Sequence, residues 1–447
     1  MKKRLISILI ALTTCLSLCF CGTSPQAEEQ VNLPDSGADV AEQPEESDEV
    51  EPEEYYPPAV RSDLAEGAFS YNDDVTVNYY EIQYREKSMN DGLTFASQLQ
   101  VGWNLGNTFD AFIADDDVVG AGLSCETSWV GIGTSRDMID AVKSAGFSTI
   151  RIPVSWHNHL EEDLTIKKRW LDRVQEVVDY AISADLYVIL NIHHDNDKSY
   201  DYYFYPDSEH KDISEKYIAS IWGQLAERFK NYDEHLIFES LNEPRLIGTN
   251  VEWNLTNAAE CRDACETISY LNQVFVDTVR ATGGNNADRY LLVPGYAASV
   301  DGALRAEFVV PKDSAENRIM IETHAYSPYD FALQSGGKKV FGDAEKAFID
   351  QMFDSLYDRF ISQGIPVVMD EFGARNKDNL QDRIDFTSYY IAKAKSVGIP
   401  CVWWDNNCFE GDGEQFGLLE RNTITWKYPE ILEAMVMQYI RNGVDEQ

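Results

Sequence analysis

The chain has 447 residues, 44% of them hydrophobic and 12% aromatic, which is enough to bury a large core. Its formal net charge of -39 excludes a nucleic-acid partner, because a phosphate backbone would be repelled. A neutral or cationic partner fits this charge better. Length alone suggests two or three domains, although a single barrel of about 250 to 400 residues is a known exception.

The N-terminal part divides into two segments outside the expected folded domain. Residues 1–22 read as an export signal, with three basic residues before an apolar run that is short for a permanent anchor. Within them Cys21, and alternatively Cys19, is a candidate for lipidation. Residues 24–60 contain twelve acidic residues and no Lys or Arg, a composition that cannot bury enough surface to fold. We therefore expect a signal peptide at 1–22, with or without lipidation, and an acidic disordered linker at 23–66. The folded domain would then span 67–447 of a secreted or surface-attached monomer.

Five cysteines fall within the expected folded domain. They are Cys125, Cys261, Cys265, Cys401 and Cys408. An odd number cannot all pair within one chain, and no CxxC spacing points to a metal site. One or two disulfides and ordinary buried thiols are both compatible with an exported protein.

Eight short apolar runs alternate with segments of helical periodicity from about residue 99 onward. The runs cover residues 99–106, 149–156, 187–194, 236–243, 290–297, 319–326, 366–373 and 401–407. Segments 134–147, 170–186 and 213–230 carry apolar residues at helix spacing. Apolar runs that alternate with amphipathic helices indicate a parallel sheet covered by helices, and eight units predict an α/β fold of the closed (β/α)8 TIM-barrel type. A doubly wound open sheet is the alternative, but no GxGxxG follows the first run.

Polar and aromatic residues collect at the C-terminal ends of these runs, which meet at one mouth of a barrel. The set comprises Arg151, His193, His194, Asn242, Glu243, His324, Tyr326, Glu371, Trp403 and Trp404. Each residue taken singly has a structural explanation; Glu243, for example, can simply pair with Arg245, and Trp403 can be core. Because so many rare residues fall at equivalent positions, we predict that they form an active site.

Glu243 and Glu371 provide the two carboxylates that cleavage of a glycosidic bond requires. Cleavage with retention needs carboxyl groups about 5 to 5.5 Å apart, and inversion needs a wider gap. The acid must keep its proton, which burial and a neighbouring carboxylate favour, whereas the nucleophile must stay ionised, which Arg151 favours. Asn242 can hydrogen-bond a sugar 2-hydroxyl, and Trp404 offers an aromatic face to a sugar ring.

These stretches resemble glycoside hydrolase family 5, the clan A barrel endoglucanases, and most of all its fourth subfamily. The matching stretches are GWNLGNTFDA, RIPVSWHNH, VILNIHHDN, FESLNEPR, ETHAYSPYDF, VVMDEFGA and WWDNN. The resemblance implies a retaining endo-β-1,4-glucanase that needs no cofactor or metal. Its implied substrates are plant cell-wall polysaccharides, namely cellulose-type glucans, xyloglucan or mixed-linkage β-glucan.

The resemblance also implies residue roles. Glu243 would be the acid/base and Glu371 the nucleophile. The shell at the cleaved bond would comprise Arg151, His193, Asn242, His324, Tyr326 and Trp404, with His194 and Asn104 contacting sugar. Two positions depart from the family pattern: Asp370 stands where many members have a small residue, and Asn407 where glycine is common.

The loop at 195–210 is unusually aromatic, and its tyrosines either stack on sugars or pack against the barrel rim. Trp129, Trp156 and His157 are further rim candidates on the same terms. If they stack on sugars, these side chains would belong to sugar sites outside the central one.

Three other functions compete with this interpretation. A β-mannanase of the same fold would use the same two glutamates. A metal-dependent hydrolase could arrange His193, His194, Glu243, His324 and Glu371 around an ion, but adjacent histidines point to opposite sides of a strand. A non-catalytic carbohydrate-binding surface protein is disfavoured because both glutamates are present.

Overall fold

The computed structural model describes residues 69–113, 122–411 and 413–441. The expected signal peptide and linker, with Cys19 and Cys21, lie outside the described residues. Within the described residues, eight parallel strands close into a barrel in sequence order. The strands are β1 (Val101–Leu105), β2 (Thr149–Ile152), β3 (Tyr187–Asn191), β4 (Leu236–Glu239), β5 (Leu291–Ser299), β6 (Ile319–His324), β7 (Val367–Phe372) and β8 (Cys401–Asp405). The predicted TIM barrel is therefore confirmed, with one strand in each predicted run.

Helices cover the outside of the barrel. They are α1 (Asp91–Leu99), α2 (Cys125–Ser128), α3 (Arg136–Ser144), α4 (Lys168–Ser183), α5 (Lys211–Phe229), α6 (Ala259–Ala281), α7 (Val300–Ala303), α8 (Tyr329–Ala332), α9 (Asp343–Arg359), α10 (Leu380–Val397) and α11 (Pro429–Arg441). The three predicted helical segments correspond to α3, α4 and α5. Helix α3 shows how the sequence sets a boundary: the Ser135 side chain accepts from the amide of Met138 and caps its first turn.

The barrel interior is layered, and the layers explain why one end is chemically active. At the N-terminal end, Ile189, Ile237, Leu292, Met320 and Val368 form an apolar layer with residues of α1, which precedes β1. Phe95 of α1 stacks on Tyr290 with 3.6 Å between ring centroids and helps to close this end. Toward the C-terminal end, which we call the mouth, the inward-facing residues are polar instead.

The five cysteines among the described residues form no disulfide. Cys125, Cys261, Cys265 and Cys401 are buried free thiols, as the thiol alternative expects. Burial raises the pKa of the Cys265 thiol to about 12, which makes it unreactive at neutral pH.

Among the residues that the structure describes, no helix is both long and apolar enough to cross a membrane.

Candidate active site

Arg151 on β2 organises the polar groups beneath the mouth. Its Nε donates to Glu239 Oε2 at 2.6 Å and its Nη2 to Glu239 Oε1 at 2.7 Å, a two-bond pairing with a buried carboxylate. The same guanidinium donates to Glu371, Asn104 and Asn242. Burial alone would lower the pKa of Arg151, but the charges of Glu239 and Glu371 raise it well above its usual value. The group therefore stays charged at every working pH.

Glu371 on β7 is held in one orientation by two donors. Arg151 Nη1 donates to its Oε1 at 2.6 Å, and Tyr326 Oη donates to its Oε2 at 2.8 Å. Burial and the charge of Glu371 raise the pKa of Tyr326 well above its usual value, so the phenol remains a donor. One cationic and one neutral donor therefore fix both carboxylate oxygens of Glu371 in place. Glu371 thus has the environment that a nucleophile needs.

Glu243 lies across the mouth and contacts a different partner. Its Oε1 is 2.9 Å from His324 Nδ1, and its Oε2 is 3.7 Å from Arg245 Nη1. One oxygen of Glu243, one of Glu371 and a ring nitrogen of His324 lie within 4.8 Å of one another. This separation falls near the retaining value of about 5 to 5.5 Å and leaves little room for an attacking water between the carboxylates.

The protonation of this pair differs from the expectation drawn from the sequence. Burial would raise the pKa of Glu243, but the hydrogen bond and charge of His324, together with Arg245, bring it below its usual value. Burial would lower the pKa of His324, but Glu371, Glu243, Glu322 and Asp370 raise it well above its usual value. In the unliganded site the proton between these two residues therefore rests on His324.

His193 follows β3 and is a neutral imidazole. Burial, then the charges of His194 and Arg151, hold the pKa of His193 well below its usual value. Asn191 Nδ2 lies 3.1 Å from His193 Nδ1 and 2.7 Å from Glu239 Oε1. Because an amide nitrogen can only donate, Nδ1 accepts, and the ring proton is on Nε2. His194 is less buried, and burial and Arg245 lower its pKa to about 4.

Strand register separates the two tryptophans of β8. Asn104 is the partner of both Arg151 and Trp404, so these three residues point into the barrel. Trp403 points outward, is fully buried and donates its Nε1–H to the Phe416 carbonyl. Trp404 is 8% exposed, and its ring is parallel to that of His193 at 5.8 Å. Trp404 is thus the tryptophan that a sugar in the mouth can reach.

Two sequence-based placements need correction. Asn104 does not reach the mouth, because its amide is fully buried and bonded to Arg151 and to the Asp370 and Trp403 carbonyls. Its function is to orient the arginine. Glu243 lies beyond β4, which ends at Glu239, although the Asn242 amide still donates to the Ile192 carbonyl at 2.9 Å. The loop leaves only after this last interstrand bond.

The candidate residues of the rim fall into buried and exposed groups. Trp156 and His157 are buried; Trp156 Nε1 donates to the Asn191 carbonyl, and His157 Nδ1 lies 2.8 Å from Asp195. In the aromatic loop Phe204 and Tyr205 are buried. Trp129 alone among the named tryptophans of the rim is strongly exposed, at 42%. Phe204 and Tyr205 of this loop therefore pack inside the fold and are not free to stack on sugars.

Sequence reasoning missed four groups of the site. Glu239, Glu322 and Asn191 occupy inward positions of β4, β6 and β3, and Trp253 follows β4 with 64% of its surface exposed. The first three sit inside apolar runs, and their inward direction becomes clear only from the strand register. Trp253 stands ten residues after Glu243, with Arg245 stacked over its ring at 4.0 Å. Its proximity to Arg245 has no sequence signal.

The electrostatics of the pair disfavour the metal-hydrolase alternative. Glu243, His324 and Glu371 do approach one another, but His193 and His194 group with Asp110 instead. A cation beside Glu371 would also face the Arg151 guanidinium, which lies 2.6 Å from the same carboxylate. The arginine already supplies the positive charge that a metal would bring.

Two closely spaced carboxylates at the mouth of a (β/α)8 barrel, one held by arginine, define the class of retaining glycoside hydrolases. The family described as "Cellulase (glycosyl hydrolase family 5)" matches residues 114–410. Endoglucanase B of Ruminococcus albus is 44% identical over 363 residues, 79% of this chain and 84% of the relative. The chain therefore belongs to glycosyl hydrolase family 5, a retaining family of clan A, and is an enzyme of the endoglucanase type.

Solved structures agree with this assignment. A family 5 lichenase from Caldicellulosiruptor sp. F32 is 53% identical, with a TM-score of 0.78 over 82% of this chain and 100% of that one. A subfamily 4 broad-specificity endoglucanase from Ruminococcus champanellensis, with bound cellotriose, is 43% identical, with a TM-score of 0.73 over 79% of this chain and 100% of that one. The resemblance stated from the sequence is confirmed.

Proposed function

We propose that this enzyme cleaves internal β-1,4-glucosidic bonds of mixed-linkage and cellulose-type glucans by double displacement, with Glu371 as nucleophile and Glu243 as acid/base. The observation that carries the proposal is the asymmetry of the two carboxylates. Glu371 receives hydrogen bonds from Arg151 and Tyr326, whereas Glu243 shares a proton with His324. One carboxylate is held for attack and the other for proton transfer.

In the first step Glu371 attacks the anomeric carbon while Glu243 protonates the departing oxygen. Attack forms a glycosyl-enzyme ester and breaks the glycosidic bond, and the proton goes to the leaving sugar. In the second step Glu243, now a carboxylate, takes a proton from water, which attacks the same carbon and releases Glu371. The proton held between His324 and Glu243 is the one that the first step needs.

Neighbouring groups orient the sugar in this proposal. Asn242 accepts from Arg151 through its amide oxygen, so its amide nitrogen is the donor for a 2-hydroxyl or for the nucleophile. His193 presents its Nε2–H as a donor, and Trp404 supplies a face on which the sugar ring stacks. His194 and Trp129 continue this surface, with 5.7 Å between their ring centroids.

The names of the relatives support an order of candidate substrates. The solved structure with 53% identity is a lichenase, and the R. champanellensis enzyme is named a broad-specificity endoglucanase. We accordingly place mixed-linkage β-glucan first and cellulose-type glucan and xyloglucan after it. Mannan is the alternative that would preserve the mechanism and change the sugar.

Reducing-sugar release from a polysaccharide panel tests the proposal. The panel contains barley β-glucan, carboxymethylcellulose, xyloglucan and mannan, each with and without chelator. We expect the fastest cleavage with barley β-glucan, unaffected by chelator and lost in Glu371→Ala. Cleavage of mannan alone would overturn the substrate. Binding without cleavage of every polymer would instead support a carbohydrate-binding protein.

Trp253 provides a prediction about the leaving-group side of the cleft. Arg245 lies between Trp253 and Glu243, which must reach the departing oxygen, so the exposed indole is a platform for leaving-group sugars. Trp253→Ala should raise KM for barley β-glucan about two- to tenfold, the range for one aromatic contact. It should leave kcat/KM for an aryl cellobioside unchanged, because that substrate has no sugar on this side.

Phe348 of α9 is a matched control for this variant, since it is also exposed, at 48%, but lies on an outer helix. Phe348→Ala should leave KM for both substrates unchanged. An equal loss on both substrates in Trp253→Ala would refute the platform, because it would indicate a disturbed catalytic centre.

We further propose export of the chain and its retention at the cell surface through Cys21 or Cys19. The basic and apolar composition of residues 1–22 and the acidic residues after them support this proposal. Radioactive palmitate should label the wild-type protein in its source cell. Loss of label in Cys21→Ser identifies that cysteine, loss in Cys19→Ser identifies the other, and an unlabelled wild type contradicts the lipid anchor.

A further inference from the structure

Two buried carboxyl groups lie beneath the catalytic pair without a cation of their own. Glu322 on β6 and Asp370 on β7 are both fully buried. All four of their carboxyl oxygens, and His324 Nε2, lack a hydrogen-bond partner among the described residues. The nearest arginine atom, Arg151 Nε, is 3.8 Å from Asp370 Oδ2 and is already committed to Glu239.

The imidazole of His324 lies between these carboxyls and the acid/base. Its Nε2 is 3.4 Å from Glu322 Oε1 and 3.5 Å from Asp370 Oδ1, while its Nδ1 is 2.9 Å from Glu243 Oε1. The other charged or titratable groups around this cluster are Glu371 of β7, Arg151 of β2, His193 after β3 and Glu239 of β4. The ring thus connects the barrel interior to the catalytic proton.

Glu322 and Asp370 cannot both be ionised. Burial and the charge of Glu239 raise the pKa of each well above its usual value, and each ionised form would further disfavour the other. The opposing influence comes from His324 for both groups and from Arg151 for Asp370. The state that fits these surroundings has one of the two carboxyls protonated and one negative charge left beside His324.

We propose that Glu322 and Asp370 are positioning residues that accept the Nε2–H of His324, direct its Nδ1 to Glu243, and retain the catalytic proton through their one remaining charge. The inference rests on the proposed role of Glu243 as acid/base. It assigns a function to Asp370, the departure from the family pattern noted in the sequence, and to Glu322, the first residue of the matching stretch ETHAYSPYDF.

The mechanism predicts which limb of the pH profile responds. The His324–Glu243 pair carries one transferable proton, on Nδ1 in the free enzyme and on Glu243 when the glycosidic bond breaks. Loss of that proton inactivates the enzyme at high pH and sets the alkaline limb of kcat/KM. A negative charge beside His324 raises the pH at which this proton is lost. Removal of that charge therefore moves the alkaline limb to lower pH.

The test compares the pH profiles of kcat/KM on barley β-glucan for wild type, Asp370→Asn, Glu322→Gln and the double variant. The amides keep an acceptor for Nε2–H but carry no charge. Each single variant leaves one carboxyl to take up the charge, so its alkaline limb should move by less than about 0.3 pH unit. The double variant removes the charge and should move the limb down by about one unit or more.

Glu126→Gln is the matched control, because Glu126 is equally buried but pairs with Arg173 outside this cluster. It should leave the limb in place. Thermal melting of every variant verifies folding, and if the double variant does not fold, a full shift of the alkaline limb in a folded single variant still excludes the shared charge.

Three outcomes would overturn the inference. An active double variant with the wild-type alkaline limb would make the carboxyls purely structural. A full shift in both single variants would exclude the shared charge. A shift of the wild-type alkaline limb on addition of chelator would indicate that a metal ion, and not a proton, lies between the two carboxyls. A wild type without activity on any glucan would instead refute the proposed function, so the two failures are distinguishable.

Discussion

Glu371→Ala should lower kcat on barley β-glucan by a factor on the order of 10⁴ or more, because no other group can form the glycosyl ester. Glu243→Ala should cost about 10² to 10⁴ on the polymer, the usual range for a general acid. It should cost little in the first step with a dinitrophenyl cellobioside, whose leaving group needs no protonation. Burst kinetics with that substrate check the difference.

Azide rescue distinguishes the two roles by stereochemistry. In Glu371→Ala, azide enters the vacated nucleophile position and attacks the opposite face from the leaving group, which yields the α-glycosyl azide. In Glu243→Ala the ester still forms, and azide then attacks it to give the β-glycosyl azide. The reverse assignment of anomers would exchange the two roles, and far-UV circular dichroism would verify that both variants are folded.

Arg151→Gln should have the second large effect, on stability and activity together. Removal of the guanidinium leaves Glu239 buried and unpaired, which costs about 3 to 5 kcal/mol of unfolding free energy. Glu371 loses its charged donor, so kcat should also fall, by a factor of about 10² to 10³, as for loss of one preorganised electrostatic contact. Denaturant unfolding and initial rates measure the two effects.

Arg173 offers a matched control, because it makes the same two-bond contact with a buried carboxylate, Glu126, away from the mouth. Arg173→Gln should lose comparable stability and keep the wild-type kcat of its folded fraction. If Arg151→Gln does not fold, Arg151→Lys is the alternative variant, because it retains a charge and still removes the two-bond pairing with Glu239. Unchanged kcat in a folded Arg151 variant would contradict its proposed role at Glu371.

Much of the fold was predictable because parallel barrel strands are buried on both faces. Their apolar runs stand out, and the eight runs identified eight strands and their mouth. The two carboxylates proposed as catalytic could be identified for a related reason: Glu243 and Glu371 interrupt or end apolar runs at equivalent positions. Strand ends were less predictable, since pairing continues beyond β4 to Asn242 through single hydrogen bonds.

The features that the sequence did not predict depend on where a side chain points and on which side chains the fold brings together. Asn104 lies within the matching motif, but its side chain points at Arg151 instead of the mouth, which only the register of β1 with β2 reveals. Glu322 and Asp370 come together from strands separated by an entire helical crossover. The proton on His324 depends on burial and on four neighbouring carboxyl groups, and no local sequence pattern encodes their combined effect.

Retaining cleavage of a β-1,4-glucan is tested most directly by the configuration of the first product. Proton NMR of cellopentaose hydrolysis, recorded within minutes of enzyme addition, resolves the new anomeric centre before mutarotation. Double displacement predicts that the β-anomer appears first and that the α-anomer forms later by mutarotation. Initial formation of the α-anomer would contradict double displacement at Glu371.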